Sequence, residues 1–235
     1  RILSQYLLNP LYTKVCADTF IRCSKLSAFF NRITKQNSTI TPNGDSITFL
    51  QSFLYILDPE HDNYDLKAKV KSFVFLKTFL SNDCFEELGP NLSKNLSEEF
   101  ITVEFCNNDI LPLLNIEGVK TKHIEMVLTS LYQLSLNSPR IPEVICASQL
   151  INVFTSFVNN VNIPYSITLT CKVLFASLLR TSNLELALYV FEHFFIFLED
   201  IFDYDRKDLH EEVLDSILCF LELMEKTGKV EIIQT

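Results

Sequence analysis

Apolar and polar positions along the chain follow a helical rhythm that returns about every 42 residues, punctuated by short polar turns. Four stretches carry it: Lys71–Gly89, Met126–Ile145, Leu169–Val190 and Val213–Ile233. In the first three the apolar pattern breaks at small polar residues: Leu80-Ser81-Asn82, Leu136-Asn137-Ser138-Pro139 and Leu179-Arg180-Thr181-Ser182-Asn183. Leu136 and Leu179 lie 43 residues apart, and Leu223 follows 44 later. A period of this size predicts stacked helical repeats, in which a unit buries its apolar face only against its neighbours.

The same pattern predicts individual elements. Ser46 is placed to cap a helix carrying Phe49, Leu50, Phe53, Leu54 and Leu57, which stops at Asp58-Pro59. Before it, Gln36–Asp45 reads as a loop because Thr41-Pro42-Asn43-Gly44-Asp45 is strong turn chemistry. Further helices are predicted over Leu66–Leu80, Lys122–Ser135 and Ser148–Val158, with Ile141–Ala147 a short connector. Ser97-Glu98-Glu99 opens a helix through Phe105, and Asn107-Asn108-Asp109 breaks it. From Leu80 to Leu136 the period stretches to 56 residues, which points to an insertion near 89–100. The expected organisation is therefore atypical or capping helices over 1–60, followed by repeats over 61–235.

The segment from Met126 to Phe154 resembles an armadillo repeat. Leu128, Leu131 and Leu134 match the second helix of that unit, and Asn137-Ser138-Pro139 its turn. Ile141, Val144 and Ile145 match the link, and Leu150, Val153, Phe154 and Phe157 the third helix. Ser166–Leu198 is similar, with Leu174 and Leu178 before the turn and Val190, Phe194 and Phe197 after it. The resemblance, to armadillo or the related HEAT repeats, implies an all-α, right-handed solenoid whose third helices line a concave groove. It specifies architecture and no particular protein.

Composition agrees with helices. Apolar residues make up 48% of the chain, enough for a continuous core, and only four glycines are available for the turns that sandwiches and nucleotide folds need. A net charge of −9 argues against broad nucleic-acid binding, since phosphate contacts need clustered cations. Lys67, Lys69 and Lys71, with Lys77 beyond them, are the local exception and read as a solvated helix face. Seven scattered cysteines without a CxxC spacing fit reduced thiols in an intracellular protein of the cytoplasm or nucleus. No apolar stretch approaches the length of a membrane span; the densest, Tyr189–Leu198, contains Glu192 and His193.

No phosphate loop, G-x-S-x-G, HExxH or metal-ligand spacing occurs, so neither catalysis nor a cofactor or metal is expected. Tested as a calcium loop from Asp203, the acidic run puts Asp208 where the sharp-turn glycine belongs and Leu214 where the bidentate glutamate belongs. Asp203, Asp205 and Asp208 then read either as a patch for a basic segment or as first-turn residues favouring a helix start. Gln149, Asn152, Ser156 and Asn159 recur at three and four residues and so share one helix face, a candidate surface for a partner's backbone. The aromatic run Tyr189–Phe202 admits two readings: a fully buried central helix, or a surface on which Phe194 receives a partner's apolar anchor. Together these point to a protein-interaction scaffold or adaptor that binds a partner protein, with a structural subunit of a larger assembly as the alternative.

Overall fold

The computed structural model describes residues 6–23, 38–42, 44–80, 98–115, 119–202 and 207–228. Of Ser38–Ile40, Leu50, Phe79, 198–200 and Asp208, only the backbone is described. The first predicted turn, most of the expected insertion, and Asp203 and Asp205 lie outside these residues. The structure is mostly helical, and it divides into two compact units. The first comprises Arg1–Leu96 with Asn108–Ser130, the second Ser97–Asn107 with Leu131–Thr235.

In the first unit, helix α1 (Thr13–Cys23) is followed by a small antiparallel hairpin, β1 (Ser38–Ile40) and β2 (Ser46–Thr48), paired Ser38 to Thr48 and Ile40 to Ser46. Of the loop expected over Gln36–Asp45, Ser38–Ile40 is strand and Thr41, Pro42, Gly44 and Asp45 turn the hairpin, with Gln36, Asn37 and Asn43 outside the described residues. The Thr41 hydroxyl accepts the Asp45 N–H at 3.0 Å, and Gly44 takes a φ of +93°, which a side chain would resist. Helix α2 (Phe49–Leu57) follows β2 directly, and its cap is Thr48, not Ser46. Thr48 Oγ1 accepts the Gln51 N–H at 3.2 Å while Gln51 Oε1 accepts the Thr48 N–H at 2.8 Å, a complete capping box. Ser46 is committed to the strand, which displaces the helix start.

Helix α3 (Leu66–Leu80) has the predicted bounds and is capped by Asp65, whose carboxylate accepts the Ala68 N–H at 2.6 Å. Helices α1, α2 and α3 meet in an aromatic knot. Phe53 stacks on Phe75 at 4.4 Å, and Phe20 and Phe49 approach edge-on at 5.0 Å. The knot is extended by the connection between α2 and α3: the buried Tyr64 hydroxyl donates to Leu8 O at 2.7 Å. Burial, with Tyr55 adding charge, pushes that phenol up to about 12.

The second unit begins with an irregular coil. Glu98–Phe100 is helical, Ile101-Thr102 interrupts it, and Thr102 caps a fresh turn by accepting the Phe105 N–H at 3.1 Å. The expected break at Asn107–Asp109 is a widened, π-type turn (Cys106–Ile110) that tightens into a 3₁₀ turn (Leu111–Leu114) at Pro112, and from Asn108 onward it belongs to the first unit. Helix α4 (Thr121–Asn137) contributes its early residues to the first unit and its later ones to the second.

After the turn at Ser138-Pro139 come α5 (Arg140–Ala147) and α6 (Leu150–Asn159), which meet at 79°. Ser148 makes that corner, donating to Ile145 O at 2.7 Å and accepting the Leu150 N–H at 3.3 Å. The stretch that follows is built differently. Helix α7 (Tyr165–Leu178) and helix α8 (Leu184–Phe202) stand either side of the turn, and the aromatic stretch follows that turn directly. Asn183 caps α8 by accepting the Leu186 N–H at 3.2 Å. Helix α9 (Lys207–Lys226) closes the described chain and ends at Gly228, in the left-handed region at φ +69°.

The centre of the second unit is α7. Every residue from Cys171 to Leu179 is buried, because α5, α6, α8 and α9 all pack on it. Phe175 lies at its heart, stacked on Phe194 at 3.9 Å and Phe197 at 6.0 Å, with Phe154 edge-on at 6.4 Å. The buried central helix is therefore α7 and not the aromatic helix after it. Truncating Phe175→Ala empties the most crowded point of the unit, and the expected loss is about 3–5 kcal/mol. A urea titration followed by circular dichroism should show it as a lowered midpoint.

Candidate partner-binding surface

Four polar residues singled out by spacing do share one exposed face. Gln149 stands at the start of α6 and Asn152, Ser156 and Asn159 follow along it, all solvent-exposed, while Leu150, Phe154 and Phe157 are buried on the opposite side. Among the described residues none of the four side chains enters an intrachain hydrogen bond, and the Gln149 backbone N–H donates to Asn107 Oδ1 at 2.8 Å. Amide groups left free in this way can donate to and accept from an extended backbone.

Phe194 needs correction as an exposed anchor. It is 4% exposed and belongs to the Phe175 stack. Helix α8 is instead two-faced: Ala187, Val190, Phe194 and Ile201 are buried, whereas Tyr189, Phe195, Ile196 and Phe202 reach solvent. Neither expected extreme holds, since a helix on the flank of α7 needs only one apolar stripe to cover it. Of the acidic candidates, Asp203 and Asp205 lie outside the described residues, and Asp208 is known only as backbone near the start of α9. Their neighbour Glu212 is drawn to Arg180, at 3.7 Å.

Polar side chains in and near the turns tie distant parts of the second unit together. Ser135 Oγ lies 2.6 Å from Ser177 Oγ, a pair 42 residues apart, and Ser177 donates onward to Leu174 O at 2.6 Å. Thr181 and Ser182 both donate to Glu143 Oε1, at 3.2 and 3.1 Å. Arg180 Nε donates to Ser216 Oγ at 3.0 Å, and Ser138 donates to the Glu98 carboxylate. In the sequence Ser138, Arg180, Thr181 and Ser182 read as turn residues, and their role as ties is missed; the common spacing was the available signal.

The lysines of α3 are not the uniform solvated face that the sequence suggests. Lys71 pairs with Asp18 at 2.9 Å, and Lys69 Nζ donates to Asp58 O at 2.8 Å. Burial pulls Lys77 below the ordinary lysine range. Lys67 is exposed beside Lys14, whose direct contact and charge pull it down as well. His123, early in α4, is held below its usual 6.5 by burial first and then by Lys67, Lys120 and Lys71.

Nucleophile chemistry finds little support among the described thiols. Burial raises Cys16 and Cys171 and pushes Cys146 up to about 12, so these thiols are protonated at neutral pH. Among the described residues no three His, Cys, Asp or Glu side chains gather as a metal-holding group, and no single helix is long and apolar enough to cross a membrane. No family model, curated protein or solved structure matches the chain.

The His123 surroundings give a pH dependence with a definite sign. The unfolded chain takes up the imidazole proton at the ordinary value, before the folded protein does, so stability falls as pH drops through about 6.5. Denaturation midpoints measured from pH 7.5 to 5.5 should decline, and His123→Gln should flatten the decline.

Proposed function

We propose that this chain is a non-catalytic protein-interaction scaffold or adaptor, a right-handed armadillo/HEAT-like solenoid that binds a partner segment through the exposed face of α6. The observation that carries the reading is the polar row Gln149, Asn152, Ser156 and Asn159, whose side chains are exposed and unused within the chain among the described residues. Two further observations support it. The polar ties join positions 36 to 42 residues apart, as stacking of successive units would require. The bend of 79° between α5 and α6 presents α6 as a separate face rather than a continuation of the preceding helix. The partner is another protein, bound as an extended or helical segment, without nucleic acid, cofactor or membrane insertion. Free thiols at all six described cysteines suit a reducing intracellular compartment, cytoplasm or nucleus.

A second reading is a structural subunit held permanently in a larger intracellular assembly. It is favoured by the apolar groups that reach solvent on α8, above all Ile196 at 65% exposure.

Affinity capture from native lysate separates the two. With the scaffold reading, Asn152→Ala/Asn159→Ala abolishes capture of a discrete partner while the helical circular dichroism is unchanged. If that double variant captures as well as the wild type and a multi-subunit assembly is recovered, the α6 reading fails and the subunit reading replaces it. Phe194→Ala would test stability instead, with an expected loss of about 3–5 kcal/mol.

A further inference from the structure

Helix α9 exposes leucines where a surface helix normally exposes polar side chains. Leu214, Leu218 and Leu221 are 54%, 55% and 42% exposed, and their spacing of four and three residues puts them in one row. The buried face lies about 100° round the helix from this row, with Val213, Phe220 and Met224 all at 0% exposure. Phe220 there stacks on Phe191 of α8 at 4.8 Å, so the helix is already anchored without its leucine row. The row is a second apolar stripe that no packing in the described structure uses.

Charge decides what can cover it. Glu211, Asp215 and Glu222 are exposed and lie one flank over from the leucines, on the same helical rise, and Glu225 continues the leucine row itself. Along Lys207–Lys226 six carboxylate residues stand against two lysines, of which Lys226 reaches Glu222 at 3.9 Å. A second copy of this chain laid against the row would bring carboxylates toward carboxylates, a repulsive arrangement. An anionic lipid surface would be repelled for the same reason. A helix with an aliphatic stripe and a lysine- or arginine-rich flank meets both features at once, its apolar side chains between the leucines and its cations over Glu211, Asp215 and Glu222.

We propose that α9 is a docking surface for a basic amphipathic helix of a partner protein, seated on Leu214, Leu218 and Leu221 and oriented by the acidic flank. The proposal rests on the binding-scaffold reading and adds the chemistry of one partner, but it uses α9 and not the polar face of α6. Failure of one is therefore distinguishable from failure of the other.

The test uses the whole chain and a fluorescent synthetic helical peptide of leucine and lysine, with a companion peptide in which glutamates replace the lysines. Fluorescence anisotropy should show the lysine peptide binding and the glutamate peptide not. Leu214→Glu/Leu218→Glu should weaken binding at least about tenfold, since each leucine loses its apolar contact. The triple reversal Glu211→Lys/Asp215→Lys/Glu222→Lys should exchange the preference between the two peptides. All five positions are exposed, and circular dichroism of each variant checks that the fold survives.

Binding of the lysine peptide that is indifferent to the leucine substitutions would overturn the proposal, because it would then reflect the chain's overall negative charge. Equal binding of both peptides would overturn it too. So would a wild-type dimer in sedimentation equilibrium that Leu214→Glu/Leu218→Glu converts to monomer, since a second copy would then be the occupant. If the peptide results fail while Asn152→Ala/Asn159→Ala still abolishes partner capture, this proposal falls and the scaffold reading stands.

Discussion

A helix buried all the way round has no solvent face on which to leave a polar group, and α7 is such a helix from Cys171 to Leu179. Its polar members must be satisfied inside, because an unpaired buried hydroxyl costs about 1–3 kcal/mol. Ser177 meets this by donating to Leu174 O and lying against the Ser135 hydroxyl of α4. Ser135 reaches Tyr132 O in the same way at 2.6 Å, so the two hydroxyls serve three contacts with two protons between them. The arrangement fixes where α4 stands along α7, just as the Phe175 stack fixes where α8 stands. Once those two contacts are set, α9 follows through Arg180, which reaches both Ser216 and Glu212.

The two units spend their aromatic residues differently. In the first, Phe20, Phe49, Phe53 and Phe75 form a closed cluster fed by three helices, and the chain around it is pinned by single polar contacts such as Tyr64 to Leu8. In the second, phenylalanines run along α8 from the core to the surface, with Phe194 inside and Phe195 outside. Adjacent residues on one helix point about 100° apart, so a run of aromatics cannot all face one way. An uninterrupted aromatic stretch on a helix therefore guarantees exposure of part of it.

Much of the helical content was legible because apolar spacing is a direct image of a buried stripe. Leu66–Leu80 could be bounded from Asp65 and its apolar face, and Thr121–Asn137 differs from the expected helix only by its end turns. The polar face of α6 was legible for the same reason, since Asn152, Ser156 and Asn159 alternate with buried phenylalanines. Other features depend on competition that spacing does not record. Ser46 and Thr48 are both good caps, and pairing with Ile40 and Ser38 decides between them. The burial of α7 over α8 was hidden because the helix richer in aromatic side chains looks the more deeply placed, whereas centrality is set by how many neighbours a helix has. The leucine row of α9 passes unremarked in the sequence, because a sequence shows that a residue is apolar without showing whether anything lies against it.

The polar ties of the second unit also bear on how the chain reaches its fold. Ser135 to Ser177, Asn107 to Gln149 and Glu143 to Thr181 each close a loop of about forty residues. The entropy of closing a loop grows only with the logarithm of its length, so equal loops present equal barriers. The closures along the second unit therefore carry similar entropic costs, each set by about forty residues rather than by the length of the chain.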